Sequence, residues 1–179
     1  MFCEIKIKED FERIYPILEE AFPITELREK KDQEALLQED CYRLYGMKNQ
    51  EGRFFAVVAM WDVAEDFIFI EHFAVEKKSR NGGIGGKMLD DFIAWYGKKV
   101  VLEVELPEDD LKKRRIAFYK RHGFAWNDES YFQMPLRKGQ EPMPLRLMTK
   151  PEPLDEEMFQ YYRKRIYEVV YKCSVEPWQ

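Results

Sequence analysis

Residues 71–87 read Glu71-His72-Phe73-Ala74-Val75-Glu76-Lys77-Lys78-Ser79-Arg80-Asn81-Gly82-Gly83-Ile84-Gly85-Gly86-Lys87. An apolar, β-rich run over 67–75 leads into this stretch and reads as a strand buried on both faces. The pattern then changes to helical spacing, with Met88, Leu89, Phe92, Ile93, Trp95 and Tyr96 on one side and Gly97 as the stop. A second strand is expected over 100–106. Strand, glycine turn, helix and strand form a crossover unit, so the two strands should lie parallel.

The glycines leave backbone N–H groups uncovered and permit positive φ. At a helix N-terminus such donors face outward, where the dipole favours an anion. Lys77, Lys78, Arg80 and Lys87 outnumber Glu76 here, so a phosphate or pyrophosphate fits the turn. Two common phosphate motifs fail. A Walker A loop ending at Gly86-Lys87 would need a glycine at Asn81 and a hydroxyl at Met88, and a GxGxxG run from Gly83 would need a third glycine at Met88. A nucleotide site of either kind is therefore disfavoured.

Outward from the turn, the chain alternates hairpins and helices. Strands are expected over 2–7, 42–48, 53–61, 124–126, 131–134 and 145–149. Helices are expected after Asp10, over 25–38 with Thr25 as cap, over 114–122, and over about 154–173 at the C-terminus. The last carries Met158, Tyr162, Ile166, Val169, Val170 and Cys173 on one face. Five of the nine prolines fall between 135 and 153, but a strand lies among them, so this is a long loop inside one domain spanning 1–179. The order βααβββαβαββα predicts a mixed α/β (α+β) fold with flanking helices.

Composition narrows the function. The 179 residues carry a net charge of −5, which does not favour nucleic-acid binding. No apolar run reaches the ~20 residues of a membrane span, and the alternating start lacks the regions of a secretory signal. Three dispersed cysteines and two histidines support neither a disulfide framework nor a metal site, and suggest reduced thiols in a cytoplasmic protein.

The turn Arg80-Asn81-Gly82-Gly83-Ile84-Gly85 fits the pattern [QR]xxGx[GA], and Phe118-Tyr119-Lys120-Arg121-His122-Gly123-Phe124 supplies an aromatic-Tyr pair shortly before Gly-Phe. With Glu71 to Val75 upstream, residues 67–126 resemble the GNAT superfamily of acyl-CoA-dependent N-acyltransferases. Where many members carry an asparagine seven residues before the tyrosine, this chain has Lys112. The resemblance implies acetyl-CoA as donor, no metal, an amine acceptor, and direct attack without a covalent enzyme intermediate. Arg80, Asn81, Gly82, Gly83, Ile84, Gly85, Gly86 and Lys87 would hold the cofactor. Backbone N–H groups near Phe73, Ala74 and Val75 would polarise the acyl carbonyl, and Tyr119 would serve the leaving thiolate.

The acceptor amine must lose a proton. Glu71 is the first choice of base: on a regular strand it shares a face with Phe73 and Val75, alternates with His72, and should have a raised pKa among apolar neighbours. His72 is the rival, Glu103 the third choice, and ordered water a fourth. The acidic stretch Glu103, Glu105, Glu108, Asp109 and Asp110 suggests a cationic acceptor. A non-catalytic acyl-CoA-binding module remains the alternative, and aromatic strand edges near the C-terminus would allow a homodimer.

Overall fold

The structure is a computed structural model that describes residues 2–80 and 82–174. The strands are β1 (Phe2–Glu4), β2 (Tyr42–Lys48), β3 (Phe54–Asp62), β4 (Phe67–Val75), β5 (Lys99–Glu105), β6 (Ala125–Trp126), β7 (Tyr131–Gln133) and β8 (Met143–Lys150). The helices are α1 (Lys8–Ala21), α2 (Lys30–Ala35), α3 (Ile84–Tyr96), α4 (Asp110–Arg121) and α5 (Glu156–Val169). The expected class holds, and each of the eight strands expected from the chain has a counterpart, one more than the order βααβββαβαββα carries.

All eight strands join one sheet in the order β1-β2-β3-β4-β5-β8-β6, with β7 also on β8. Only β4 and β5 pair in parallel, as the crossover through α3 requires. One face is covered by α1 and α5, where Phe11, Ile14, Leu18, Phe159, Tyr162 and Ile166 pack on Trp61, Phe67 and Phe69. The other is covered by α3 and α4, where Met88, Leu89, Phe92 and Ile116 pack on Ile68, Ile70 and Val104. In α5 the buried set includes Phe159 and Tyr167, which the expected stripe omitted.

The second expected helix is broken. A 3-10 turn, Ile24–Glu26, precedes an extended Leu27, and α2 spans only six residues. Arg137 explains the break: its guanidinium donates to the carbonyls of Leu27 and Arg28 at 2.7 and 3.1 Å, which a continuous helix would need for itself. α4 starts four residues earlier than expected because Asp109 caps it, accepting from the Lys112 N–H at 2.8 Å.

Gly46 in β2 marks a close approach between sheet and helix. A Cβ there would fall 2.6 Å from the Phe54 ring and 2.8 Å from Ile14 Cδ1, both buried. Gly46→Ala is expected to lower stability by about 1–3 kcal/mol through overpacking, measured as a reduced midpoint in urea unfolding.

Candidate active site

The site begins where two strands part. β4 and β5 pair from Phe67↔Lys99 to Ile70↔Leu102 and no further. Beyond Ile70, β4 keeps only its antiparallel partner β3, through His72↔Ala59, Phe73↔Val58, Ala74↔Val57 and Val75↔Ala56. Alternate backbone groups of this segment therefore face a gap. A cavity of about 260 Å³ fills it, with Phe73, Ala74, Val75, Arg80, Glu103 and Tyr119 among its walls.

The register slips at the same place. Ala59 pairs with His72 and Met60 with Ile70, so Glu71 is the extra residue of a β-bulge. The bulge reverses the alternation. Phe73 and Val75 belong to the α3–α4 side of the sheet, while His72 meets the Phe22 ring at 4.6 Å on the α1 side. Glu71 lies beside His72, with Nδ1 and Oε2 3.6 Å apart. The expectation that Glu71 shares a face with Phe73 and Val75 is thus corrected by the bulge.

Glu71 is also not the raised carboxyl that the sequence suggested. Burial alone would raise it, but Arg28 donates to its Oε1 at 2.5 Å, and that guanidinium, with the nearby Trp61 indole, holds it below the usual carboxylate range. An ionised carboxylate paired this way has little proton affinity at neutral pH, so its case as the base weakens. His72 is nearly inaccessible, and burial lowers its pKa despite the Glu71 charge. Its Nε2 lies 2.8 Å from the Glu26 carbonyl and donates to it, leaving Nδ1 as the lone-pair nitrogen of a neutral ring.

The glycine turn has the expected form. Gly82 and Gly83 have φ of 83° and 74°, and a Cβ on either would meet open space. They are glycines for conformation, not for packing. Gly83 is the N-cap residue of α3, and the first intrahelical bond runs from the Lys87 N–H to its carbonyl. The N–H groups of Ile84, Gly85 and Gly86 are consequently free of helix partners. Gly86 has a second duty, since a Cβ there would lie 2.5 Å from the His122 ring. Arg80 Nε donates to the Val75 carbonyl at 2.8 Å and ties the turn to the end of β4. The Lys87 ammonium is engaged by Asp91 at 2.7 Å. Asn81 lies outside the described residues.

Across the gap, Tyr119 on α4 reaches the cavity wall, packed on Phe118 and Phe124. Burial pushes its hydroxyl up to about 12, with the Glu26 charge adding and Arg115 opposing. Phe118 stacks on Phe73, which couples α4 to β4. Glu103, on β5 just past the last parallel pair, accepts from the hydroxyls of Tyr131 and Tyr171 at 2.5 and 2.7 Å. Burial raises its carboxyl to about 7, with Glu71 and Glu26 adding to that effect against the two hydroxyl bonds.

The acidic stretch is less open than its sequence suggested. Arg115 and Lys112 pair with Glu105 at 2.7 and 3.4 Å, and Lys112 also takes Glu108 at 2.8 Å. The basic run 112–115 is therefore partly spent on its acidic neighbours. Among the described residues, the cavity-wall carboxylates without an ion pair are Glu103 and Glu26, the latter raised by burial and by Glu105 against Arg115 and Lys112. Tyr131 and Tyr171 were absent from the sequence-based site. They come from a three-residue strand and the chain beyond α5, and no local motif links them.

Among the described residues, no group of three or more His, Cys, Asp or Glu side chains could hold a metal ion, and no helix is long and apolar enough to cross a membrane.

A mixed sheet that splays at its centre, beside a glycine turn opening a helix, defines the acyltransferase class. Residues 7–124 match the model of the Acetyltransferase (GNAT) family, and the chain belongs to that family. It is similar to "Putative acetyltransferase YjbC" of Bacillus subtilis (strain 168), with 31% identity over 169 residues that cover 92% of this chain and 84% of that protein. A solved GNAT-family structure from Bacteroides thetaiotaomicron superposes with a TM-score of 0.88 at 29% identity, covering 97% of this chain and 99% of that one. The fold is shared more distantly with Arabidopsis thaliana NAA60 in complex with acetyl-CoA, at a TM-score of 0.60 and 16% identity over 83% of this chain and 96% of that one.

Proposed function

We propose that this acyltransferase takes the acetyl group of acetyl-CoA and delivers it to a primary amine by direct attack. The observation that carries the reading is the single cavity where the β4–β5 pairing ends, between the glycine turn on one side and the Glu103 wall on the other. The N–H groups of Ile84, Gly85 and Gly86 would receive the pyrophosphate at the positive end of α3. The freed backbone donors of residues 73–75 would take the thioester carbonyl, a contact that strengthens as the carbonyl becomes an oxyanion. The free thiols of Cys41 and Cys173 fit a cytoplasmic setting.

Tyr119 would serve the leaving group by hydrogen bonding. With its hydroxyl near 12 and a thiol near 8.5, full proton transfer is uphill by about 3.5 units, or about 5 kcal/mol. Donation to the developing thiolate carries no such cost, and water then supplies the proton. Tyr119→Phe is expected to lower kcat ten-fold or more with a smaller change in KM for acetyl-CoA. Stopped-flow detection of released thiol checks this, and an unchanged kcat removes Tyr119 from the mechanism.

A further inference from the structure

Resting on the acetyl-transfer reading above, we propose that Glu103 is the general base of the reaction, and that Tyr131 and Tyr171 are positioning residues whose hydroxyls clamp its carboxylate toward the gap. Glu103 follows Leu102, the last residue of β5 to pair with β4, and lines the same cavity as Phe73 and Tyr119. It is half-buried, so the carboxylate is sheltered yet reachable from the cavity. The Tyr131 hydroxyl donates to Oε1 at 2.5 Å, and the Tyr171 hydroxyl lies 2.7 Å from Oε1 and 3.0 Å from Oε2.

The contrast with its neighbours is one of partners. Glu71 is held by Arg28 and Glu105 by Arg115 and Lys112. Glu103 has two neutral donors and, among the described residues, no ion-pair partner. A carboxylate gripped by hydroxyls keeps proton affinity that one gripped by a guanidinium loses. The groups facing it are Glu71 on β4, Glu26 on the 3-10 turn, Tyr131 on β7, and Tyr167 and Tyr171 at the end of α5, while β8 opposes it with Leu147. The two carboxylates raise its proton affinity and the hydroxyl bonds lower it.

The proton balance closes without a further reagent. The acceptor enters as an ammonium and gives one proton to the Glu103 carboxylate. The neutral nitrogen forms the C–N bond, the C–S bond breaks, and the nitrogen loses its second proton to water, from which the coenzyme A thiolate takes one. Glu103 then returns its proton to solvent.

The test uses the full chain. In the ligand-free enzyme, carboxyl 13C NMR should show one glutamate titrating near pH 7 that is missing in Glu103→Gln. In Tyr171→Phe the midpoint should move up by about one unit, because a donor to the charged form is gone. Kinetically, kcat/KM should be flat between that midpoint and the pKa of the amine. Glu103→Gln should fall about 100-fold at pH 7 and rise ten-fold per pH unit with the free amine. A Glu103→Gln rate within three-fold of wild type and with the same acid limb would overturn the base. An unmoved midpoint and limb in Tyr171→Phe would overturn the clamp. A wild-type chain that releases no thiol with any amine would instead defeat the acetyl-transfer reading.

Discussion

Gly83→Glu should abolish acetyl-CoA binding in a chain that still folds. Gly83 sits at φ 74° as the N-cap residue of α3, and open space surrounds the position where a Cβ would stand. No packing clash is expected. Two other effects act. A non-glycine residue at this φ costs about 1–2 kcal/mol, which the turn can relieve by shifting its N–H groups away from their common focus. The new carboxylate also lies at the positive end of α3, where it would satisfy the donors proposed for the pyrophosphate and repel that anion. Titration calorimetry with acetyl-CoA is expected to show affinity weakened by 100-fold or more, on the order of 3 kcal/mol. Gly83→Asn, which tolerates the left-handed region and adds no charge, should keep most of the affinity. Equal loss in both variants would assign the effect to backbone strain alone. Near-native affinity in Gly83→Glu would remove the turn from the donor site.

Arg28→Met should produce the largest loss of stability. Arg28 and Glu71 are paired at 2.5 Å with side chains 11% and 5% exposed, and a methionine would leave the carboxylate buried beside His72 without a cation. Breaking a buried pair by removing one partner costs about 3–5 kcal/mol. The sign with pH follows from Glu71. In the wild type its pKa is lowered, so the pair stabilises at neutral pH, and that contribution is lost in acid as pH falls through the lowered value. In Arg28→Met the unpaired carboxyl is raised instead, so the deficit should be greatest at neutral pH and should shrink as Glu71 protonates. Denaturant unfolding at pH 7 and pH 4 checks this. Arg28→Met combined with Glu71→Gln should recover much of the loss. A deficit that does not change with pH would mean that Arg28 stabilises through its stacking near Trp61 and not through its charge.

The parts of the fold that local chemistry determines were legible in the chain. The change from an apolar, β-rich run to helical spacing around Arg80–Gly86 identified β4, the turn and α3, and the crossover rule gave the parallel pair. Tyr119 was found because an aromatic pair before Gly-Phe has a fixed place on α4. What escaped was set by partners distant in sequence. The bulge at Glu71 exists because β3 supplies one residue fewer between Ala59 and Met60 than β4 supplies opposite, and nothing in residues 67–75 alone marks it. The extra residue left Glu71 on the face of Phe67 and Phe69 and turned Phe73 and Val75 to the other, while Arg28, distant in sequence, set the direction of its pKa. The hydroxyl partners of Glu103, the third choice of base, lie 28 and 68 positions away, so no local pattern could mark them. The charge runs were visible, but their mutual cancellation between Glu105, Arg115 and Lys112 was not.

Acetyl transfer to an amine is proposed to take place at the gap between β4 and β5. Its most direct test is thiol release from acetyl-CoA by the purified chain, run against a diamine, a lysine-containing peptide and a peptide with a free α-amino group, with mass spectrometry of the acceptor. Thiol release should depend on one of these amines, be matched mole for mole by an acceptor one acetyl group heavier, and fall at least ten-fold in Tyr119→Phe. Tight acetyl-CoA binding with no amine-dependent thiol release and no acetylated product would contradict it, and would leave a module that binds the donor without using it.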